Sequence, residues 1–430
     1  MKTKISTLLS LLALCGSFLS MMAAGAAVPE RHRILISTDI GGTDADDNQS
    51  MAHLMMYSDC FDIEALVSTP TFGDGSKSEI LRMIDIYEKD YPLLHAHAPA
   101  LLTPDSLRSL CRQGADSAAP WQGFSQPTEG SRAIVECARR VDDRPLYVLV
   151  WGALEDVAQA LHDAPDILPA LRVYWIGGPN KKWGANAYAY IAENFPDLWM
   201  IENNASYRGF ISDNKVTTHF QNRYYDEVIS GAGYLGADFK SYYDGNVKMG
   251  DSPSLFYMMH GDPADPESES WGGRFEKMLF SPRTVFNRVT TSADTVAVYS
   301  VIEFRLQGPE GIVSEGSPCF TLHIDRQDWE GVYAGGGEYV VRYAPKAPAV
   351  LDYKISSAIG ELDGLEGTIV VYTLWPGTIT ADSYKVGSNW WTDCSDPRLF
   401  KGNWQGYRTT DKWRDAILAD WETRWNWLKK

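Results

Sequence analysis

Four aspartates, Asp39, Asp44, Asp46 and Asp47, fall within nine residues just after the apolar run Ile34-Leu35-Ile36. Carboxylates held this close repel one another, and a surface loop gains no packing from them, so a positive charge has to offset the cost. The residue types point to a hard cation bound through oxygen, calcium or magnesium. Gly41-Gly42 allows a sharp turn between Asp39, at the end of a strand-like run, and Asp46-Asp47, where a helical pattern begins. Carboxylates are also favoured at helix N-termini, so one of the pair acting as an N-cap is the competing reading. A cap needs one aspartate. A strand-end aspartate together with an adjacent pair is better explained by a metal ion.

The segments that must position these residues alternate between two periodicities. Residues 33–37 read as a buried strand and 49–57 as a helix; 62–69 is a second strand and 77–88 a second helix. Residues 146–151 (LYVLVW) and 154–162 repeat the pattern, and 171–176 (LRVYWI) and 198–202 (LWMIE) complete it. This alternation predicts an α/β domain over residues 31–282, a Rossmann-like parallel sheet with helices on both faces. Such sheets bind ligands beyond the carboxyl ends of their strands. Those ends carry Asp39, the loop 69–74, Trp151-Gly152, Gly177-Gly178-Pro179-Asn180 and Glu202-Asn203-Asn204.

The pattern changes near Arg283. Residues 294–304 (DTVAVYSVIEF), 318–324, 338–343 and 367–374 alternate with a period near two, between Gly- and Pro-rich turns. An antiparallel β-sandwich is predicted over 283–380. A Trp-rich segment, 381–430, closes the chain with Asn389-Trp390-Trp391-Thr392-Asp393 and a helix over 410–428. On that helix Trp413, Ile417, Trp421 and Trp425 recur every four residues, forming one apolar face that packs on the first domain. Trp329, Tyr333, Tyr384 and Trp404, expected in loops, are the aromatics with which the later part would touch sugar.

Lys2 and Lys4, an apolar run over 5–19 and Ala23-Ala24-Gly25-Ala26-Ala27 form the pattern of a signal peptide spanning residues 1–26. An exported protein, periplasmic or extracellular, is expected. A lipoprotein reading through Cys15 is weaker, since Leu14 is bulky where a small residue is required. No later segment is apolar enough to span a bilayer. The remaining cysteines, Cys60, Cys111, Cys137, Cys319 and Cys394, are odd in number, scattered and without a CxxC pair, which suggests neither a zinc site nor a dense disulfide framework. The formal charge of -17 argues against nucleic acid or anionic membrane as partner. Oligomeric state is not legible.

The acidic loop resembles the signature of the nucleoside hydrolase superfamily, and more closely the nucleoside-hydrolase-like family of bacterial cellulose-binding proteins, whose loop is longer. The similarity continues through Asp62-Ile63-Glu64-Ala65-Leu66-Val67, Leu107 to Gly114, Leu149-Val150-Trp151-Gly152-Ala153-Leu154, Ile176-Gly177-Gly178, Gly250-Asp251-Ser252-Pro253-Ser254-Leu255 and Trp271-Gly272-Gly273-Arg274-Phe275. The resemblance implies that Asp39, Asp47, the Trp151 carbonyl and Asp251 hold calcium. Asp46 would be the general base toward water attacking an anomeric carbon, through an oxocarbenium-like transition state. Asn180, Asn186, Glu202 and Asn203 are candidate sugar-hydroxyl ligands by strand-end position. Asp74 is a further candidate, where many relatives place a ribose-binding Asn after Gly.

The chain also departs from the pattern. Asp46-Asp47 stand three residues further from Asp39 than in ordinary nucleoside hydrolases, and Asp44 is a spare carboxylate. Gly250 occupies the position where some members carry a His that protonates a leaving purine. Two readings follow. The first is a calcium-dependent hydrolase of N-ribosyl or related glycosyl bonds acting on a small sugar or nucleoside-like substrate. The second is a non-catalytic binding protein that keeps the metal pocket to grip a glycan. Asp46 favours the first, since a binder needs no base; the absent His favours an altered substrate or lost activity. Phosphoryl transfer ranks behind both, because no Lys or Arg clamp stands near the strand ends.

Overall fold

The computed structural model describes residues 31–70, 75–211 and 223–429. The expected leader, residues 1–26, and Asp74 lie outside the described residues.

The apolar runs of the first part form strands β1 (His32–Thr38), β2 (Phe61–Ser68), β3 (Cys111–Gln113), β4 (Leu146–Val150), β5 (Leu171–Ile176) and β6 (Trp199–Asn203). They lie in the order β3-β2-β1-β4-β5-β6, all parallel. Trp390–Asp393 returns from near the C-terminus to pair parallel with β6, and Phe275–Lys277 closes that edge antiparallel. Alternate residues feed two cores, one on each face of the sheet. Leu35, Val148 and Val173 join one; Ile34, Ile36, Leu149 and Ile201 join the other. Because the chain moves outward from β1 to β2 and β3 and then restarts at β4 on β1's other side, the sheet has its switch point between β1 and β4. A crevice opens there, beyond Thr38 and Val150.

Two helix boundaries matter. The helix after β1 runs Asp46–Met56, starting three residues before the expected position 49. Its N-cap is Ala45, with no side-chain cap bond. Asp46 and Asp47 are therefore first-turn residues, and neither is the cap. The helix Lys77–His97 continues beyond residue 88 through Pro92, because Asp90 and Leu94 extend its buried face.

The later part is a largely antiparallel sheet. Its strands run in the order Thr295–Ala297, Glu366–Tyr372, Ala349–Ser357, Pro318–Ile324, Gln327–Gly335, Glu338–Tyr343, Val301–Gln307 and Arg283–Phe286. The run 294–304, read as one strand, is broken between Ala297 and Val301, where Tyr299 adopts a left-handed backbone with φ of 62°. Trp329 and Tyr333 lie on a strand, not in a loop, and Tyr384 pairs with Ser281 in a two-stranded ribbon. Phe304, Tyr343 and Trp375 share one continuous core with Trp175, Tyr188 and Trp390, so this sheet packs directly on the α/β part.

The expected C-terminal helix is divided into Tyr407–Asp411 and Arg414–Asn426. Ile417, Trp421 and Trp425 are buried as the four-residue spacing requires, and Trp421 meets His53, Tyr224 and Phe239 of the first domain. Trp413 caps the helix and is only partly buried. Among the described residues no helix is long and apolar enough to cross a membrane. The five described cysteines carry no disulfide.

Candidate metal centre

The switch-point crevice is where the acidic loop closes. Gly42 N–H bonds back to the Asp39 carbonyl at 3.1 Å, with Gly41 at φ 91°, and the chain then turns into the helix Asp46–Met56. Trp151 N–H donates to the Ser37 carbonyl at 2.7 Å, which sets the end of β4 beside the end of β1. Gly152 makes this approach possible, since a Cβ there would stand 2.7 Å from Asp39 Cβ. The third contributor is the helix Ser252–Met259, whose N-cap is Asp251.

These elements bring Asp46, Asp47 and Asp251 together, one oxygen from each lying within 4.8 Å of the others. All three are buried, and Asp39 lines the same pocket. Compensation from the chain is thin. Asp47 accepts the Thr38 hydroxyl; Asp46 accepts Gly250 N–H at 3.1 Å and lies 3.5 Å from Lys248 Nζ. Asp251 Oδ2 is buried with no hydrogen-bond partner among the described residues. Burial pushes Asp46 up to about 7, against Lys248 and with help from Asp44 and Asp39. Asp47 and Asp251 are driven well above the usual carboxylate range, first by burial and then by neighbouring aspartates, Asp251 acting most on Asp47 and Asp46 most on Asp251. Buried carboxylates that repel one another while one oxygen lacks any donor fit a divalent cation. The donor set, carboxylates and a nearby carbonyl without thiolate or imidazole, fits a hard ion.

Around the cluster is a pocket of about 420 Å³. Asn180 Nδ2 donates to the Trp151 carbonyl at 3.1 Å and to the Ile176 carbonyl at 2.9 Å, and the Trp151 indole donates to Ser254 Oγ at 2.8 Å, so both ends of Trp151 are oriented. Asp44, the spare carboxylate, is exposed and bound by Lys248. Gly250 packs closely on Asp46: a Cβ there would lie 2.2 Å from Asp46 Oδ2, so a side chain at this position would require the carboxylate to shift.

The structure gathers Asp39, Asp46, Asp47, Trp151, Asn180 and Asp251 at one pocket. Three other candidates lie elsewhere. Glu202 is wholly buried, gripped by Lys181 and accepting from Tyr188 Oη at 2.7 Å and Asn204 Nδ2 at 2.9 Å. Asn203 bonds Tyr174 Oη and Tyr207 N–H at 2.9 and 3.0 Å. Asn186 donates to the Ala119 carbonyl at 3.0 Å and lines a separate cavity of about 280 Å³. A strand-end position selects the region of a site but not the direction of a side chain: Glu202 and Asn203 turn into the protein, while Asn186 stands half-buried on the helix Ala185–Asn194 with its amide paired to Ala119 and Arg342.

Sequence reasoning missed Lys248, Arg208, Tyr299 and Lys346, all on the pocket wall. Lys248 stands three residues before Asp251 and was open to notice; the others reach the pocket from segments with no motif. Basic groups therefore do flank the site, though from loops rather than strand ends.

The family model described as "Cellulose-binding Sde182, nucleoside hydrolase-like domain" matches residues 33–275, more than half of the chain. The chain belongs to this nucleoside hydrolase-like family. Among solved structures it is similar to a nucleoside hydrolase-related protein from Saccharophagus degradans that is associated with carbohydrate metabolism. The two share 18% identity, with 80% of this chain and 100% of that one covered, at a TM-score of 0.49. It is also similar to the inosine-uridine preferring nucleoside hydrolase from Bacillus anthracis, at 16% identity over 59% and 87% of the two chains and a TM-score of 0.37. The purine-preferring ribonucleoside hydrolase from Gardnerella vaginalis shares 10% identity over 57% and 82%, with a TM-score of 0.36. No curated protein matches.

Proposed function

We propose that this chain is a secreted, calcium-dependent hydrolase of N-ribosyl or related glycosyl bonds, taking a small sugar or nucleoside-like substrate into the pocket at the β1–β4 switch point. The observation that carries this reading is the buried Asp46–Asp47–Asp251 cluster, in which Asp251 Oδ2 has no donor. Asp39, Asp47, Asp251 and the Trp151 carbonyl would hold the ion. Bound there, calcium supplies the positive charge that acidifies water and grips sugar hydroxyls.

The remaining roles belong to the protein. Asp46 Oδ2 is held by Gly250 N–H and faces Lys248, which leaves Oδ1 to take the proton of the attacking water. Burial keeps this carboxyl near neutrality, where it can accept and return a proton. Asn180 holds the Trp151 carbonyl in line. Gly250 provides no acid, so the favoured substrates are those whose leaving group departs without protonation.

The second reading, a carbohydrate-binding protein retaining the metal pocket, is favoured by the family's description and by that missing acid. Hydrolysis of p-nitrophenyl riboside and a nucleoside panel, with calcium, separates the two. Cleavage abolished by EDTA and reduced about 10²–10⁴-fold in Asp46→Asn supports the hydrolase. Calcium binding without cleavage supports the binder. Sequencing the N-terminus of the exported protein checks the leader, which should be absent from the mature chain.

A further inference from the structure

Among the described residues three cations line the metal pocket, and the aspartates form a close ion pair with only one of them, although the charges of Asp46 and Asp44 also reach Arg208. Lys248 is bound to Asp44 and faces Asp46. Arg208 and Lys346 have no carboxylate within ion-pair distance among the described residues. Arg208 is nonetheless carefully placed. It lies on the short turn Ser206–Gly209 after β6, and that turn is anchored by buried Asp393. Asp393 accepts the N–H groups of Asn204, Ala205 and Ser206 at 2.9, 3.1 and 2.7 Å and the Ser206 hydroxyl at 2.6 Å. The guanidinium sits against the rings of Tyr207 and Trp404, at 5.2 and 5.5 Å, and its Nε is buried with no acceptor among the described residues.

A buried guanidinium N–H without an acceptor is costly, and an oxygen ligand entering the pocket would supply the missing bond. Planar guanidinium favours carboxylate and phosphate oxygens. The second sheet lines the same pocket, with Lys346 Nζ also 5.8 Å from the centre of the Trp183 ring. Tyr299 is held in a left-handed conformation, its N–H on the Pro345 carbonyl at 2.8 Å, and Lys346 follows directly. A bulky side chain kept in that backbone region persists only where its surroundings dictate it, and here it faces the pocket beside Arg208.

We propose that Arg208, Tyr299 and Lys346 form an oxyanion-reading subsite beside the metal cluster, so that the sugar taken by this pocket carries a carboxylate or a phosphate. This rests on the reading of the pocket as a sugar site. It makes the β-rich part a contributor to substrate choice.

Calorimetric titration of the protein in calcium with D-glucuronate against D-glucose, and ribose 5-phosphate against ribose, tests the subsite. The acidic member of at least one pair should bind tenfold or more tightly, with an advantage that shrinks as salt is raised. Preference within the first pair assigns a carboxylate, and within the second a phosphate. Arg208→Met should remove most of the advantage while calcium still binds, at least as tightly as in the native protein because a neighbouring positive charge is lost, which also reports that the variant is folded. Lys346→Met, at an exposed position, should remove a smaller part. Equal affinity within both pairs, no binding by any of the four, or a preference undiminished in both variants overturns the proposal. The hydrolysis panel is read separately: an acidic-sugar preference without cleavage leaves this subsite standing and removes only the catalytic reading.

Discussion

Glu303 and the Asp46–Asp47–Asp251 cluster are similarly hidden from water, yet the chain treats their charge in opposite ways. Glu303 lies on the strand Val301–Gln307 and accepts from Arg283, Arg305 and Arg342 at 2.7, 2.6 and 2.9 Å. Burial pushes its carboxyl up, but the three guanidiniums, Arg342 foremost, outweigh that and hold it below the usual range. Among the described residues the aspartate cluster has one lysine at its edge, one hydroxyl and one backbone N–H, and all three carboxyls are driven upward. A buried carboxylate that carries its own counter-charge is complete within the fold. One that lacks it is built for something arriving from outside. Arg342 also donates to the Trp121 carbonyl at 2.7 Å, so the neutralised site ties the β-rich part to the first domain, while the aspartate cluster lines the pocket.

The contrast can be broken by substitution. The largest expected effect is Glu303→Gln, which strands three guanidiniums and should cost about 3–5 kcal/mol in chemical denaturation while leaving calcium affinity intact. A loss under about 1 kcal/mol would mean that the arginines do not depend on it. Asp251→Asn should do the reverse: calcium affinity falls on the order of a hundredfold, and stability in EDTA is unchanged or slightly higher because repulsion is relieved. Calcium at a hundred times its Kd should stabilise the native protein and the Glu303→Gln variant alike by about 2.7 kcal/mol, and Asp251→Asn far less at that concentration. Equal stabilisation of Asp251→Asn would place the ion elsewhere.

The smallest effect is in pH dependence, and it sharpens the comparison because the two sites slope in opposite directions. In EDTA, Asp46 has a folded pKa of about 7, above its unfolded value of about 3.9. Its contribution is complete below about pH 4 and is lost as pH rises toward 7, at most about 1.4 kcal/mol per pH unit. Glu303 is depressed in the fold, so its contribution is present above about pH 4.3 and is lost as pH falls. Denaturation midpoints across pH 3–8 should show Asp46→Asn flattening the neutral limb and Glu303→Gln the acid limb. Both variants tracking the native curve would remove the electrostatic distinction between the sites.

Much of this was open to reading in the sequence. The apolar runs behind β1, β2, β4, β5 and β6 are short and separated by helical patterns, and a parallel sheet buried on both faces leaves few other arrangements for them. Asp39 and Asp47 could be named because the loop joining them is local. Trp421 and Trp425 could be placed inside because their spacing matches the helical period. Glu202, Asn203 and Asn186 could not be resolved. Whether a strand-end polar group faces a pocket or a neighbouring lysine depends on Lys181, Tyr174 and Ala119, none of which adjoins it in the chain. The break at Tyr299 escaped for a related reason: 294–304 alternates well enough for one strand, and only the surrounding structure holds Tyr299 at positive φ.

Local sequence by itself determined the strands and the aspartates that follow the first of them, because periodicity and short loops act over a few residues. Tertiary structure alone decided that Asp251, to which only the resemblance points, keeps one buried oxygen unpaired among the described residues, and that Gly250 packs against the Asp46 carboxylate. It also decided the strand order that opens the crevice, and that Arg208, Tyr299 and Lys346 line one pocket. Their side chains come from segments far apart in the chain, and burial, charge balance and the direction of a side chain belong to the packed whole.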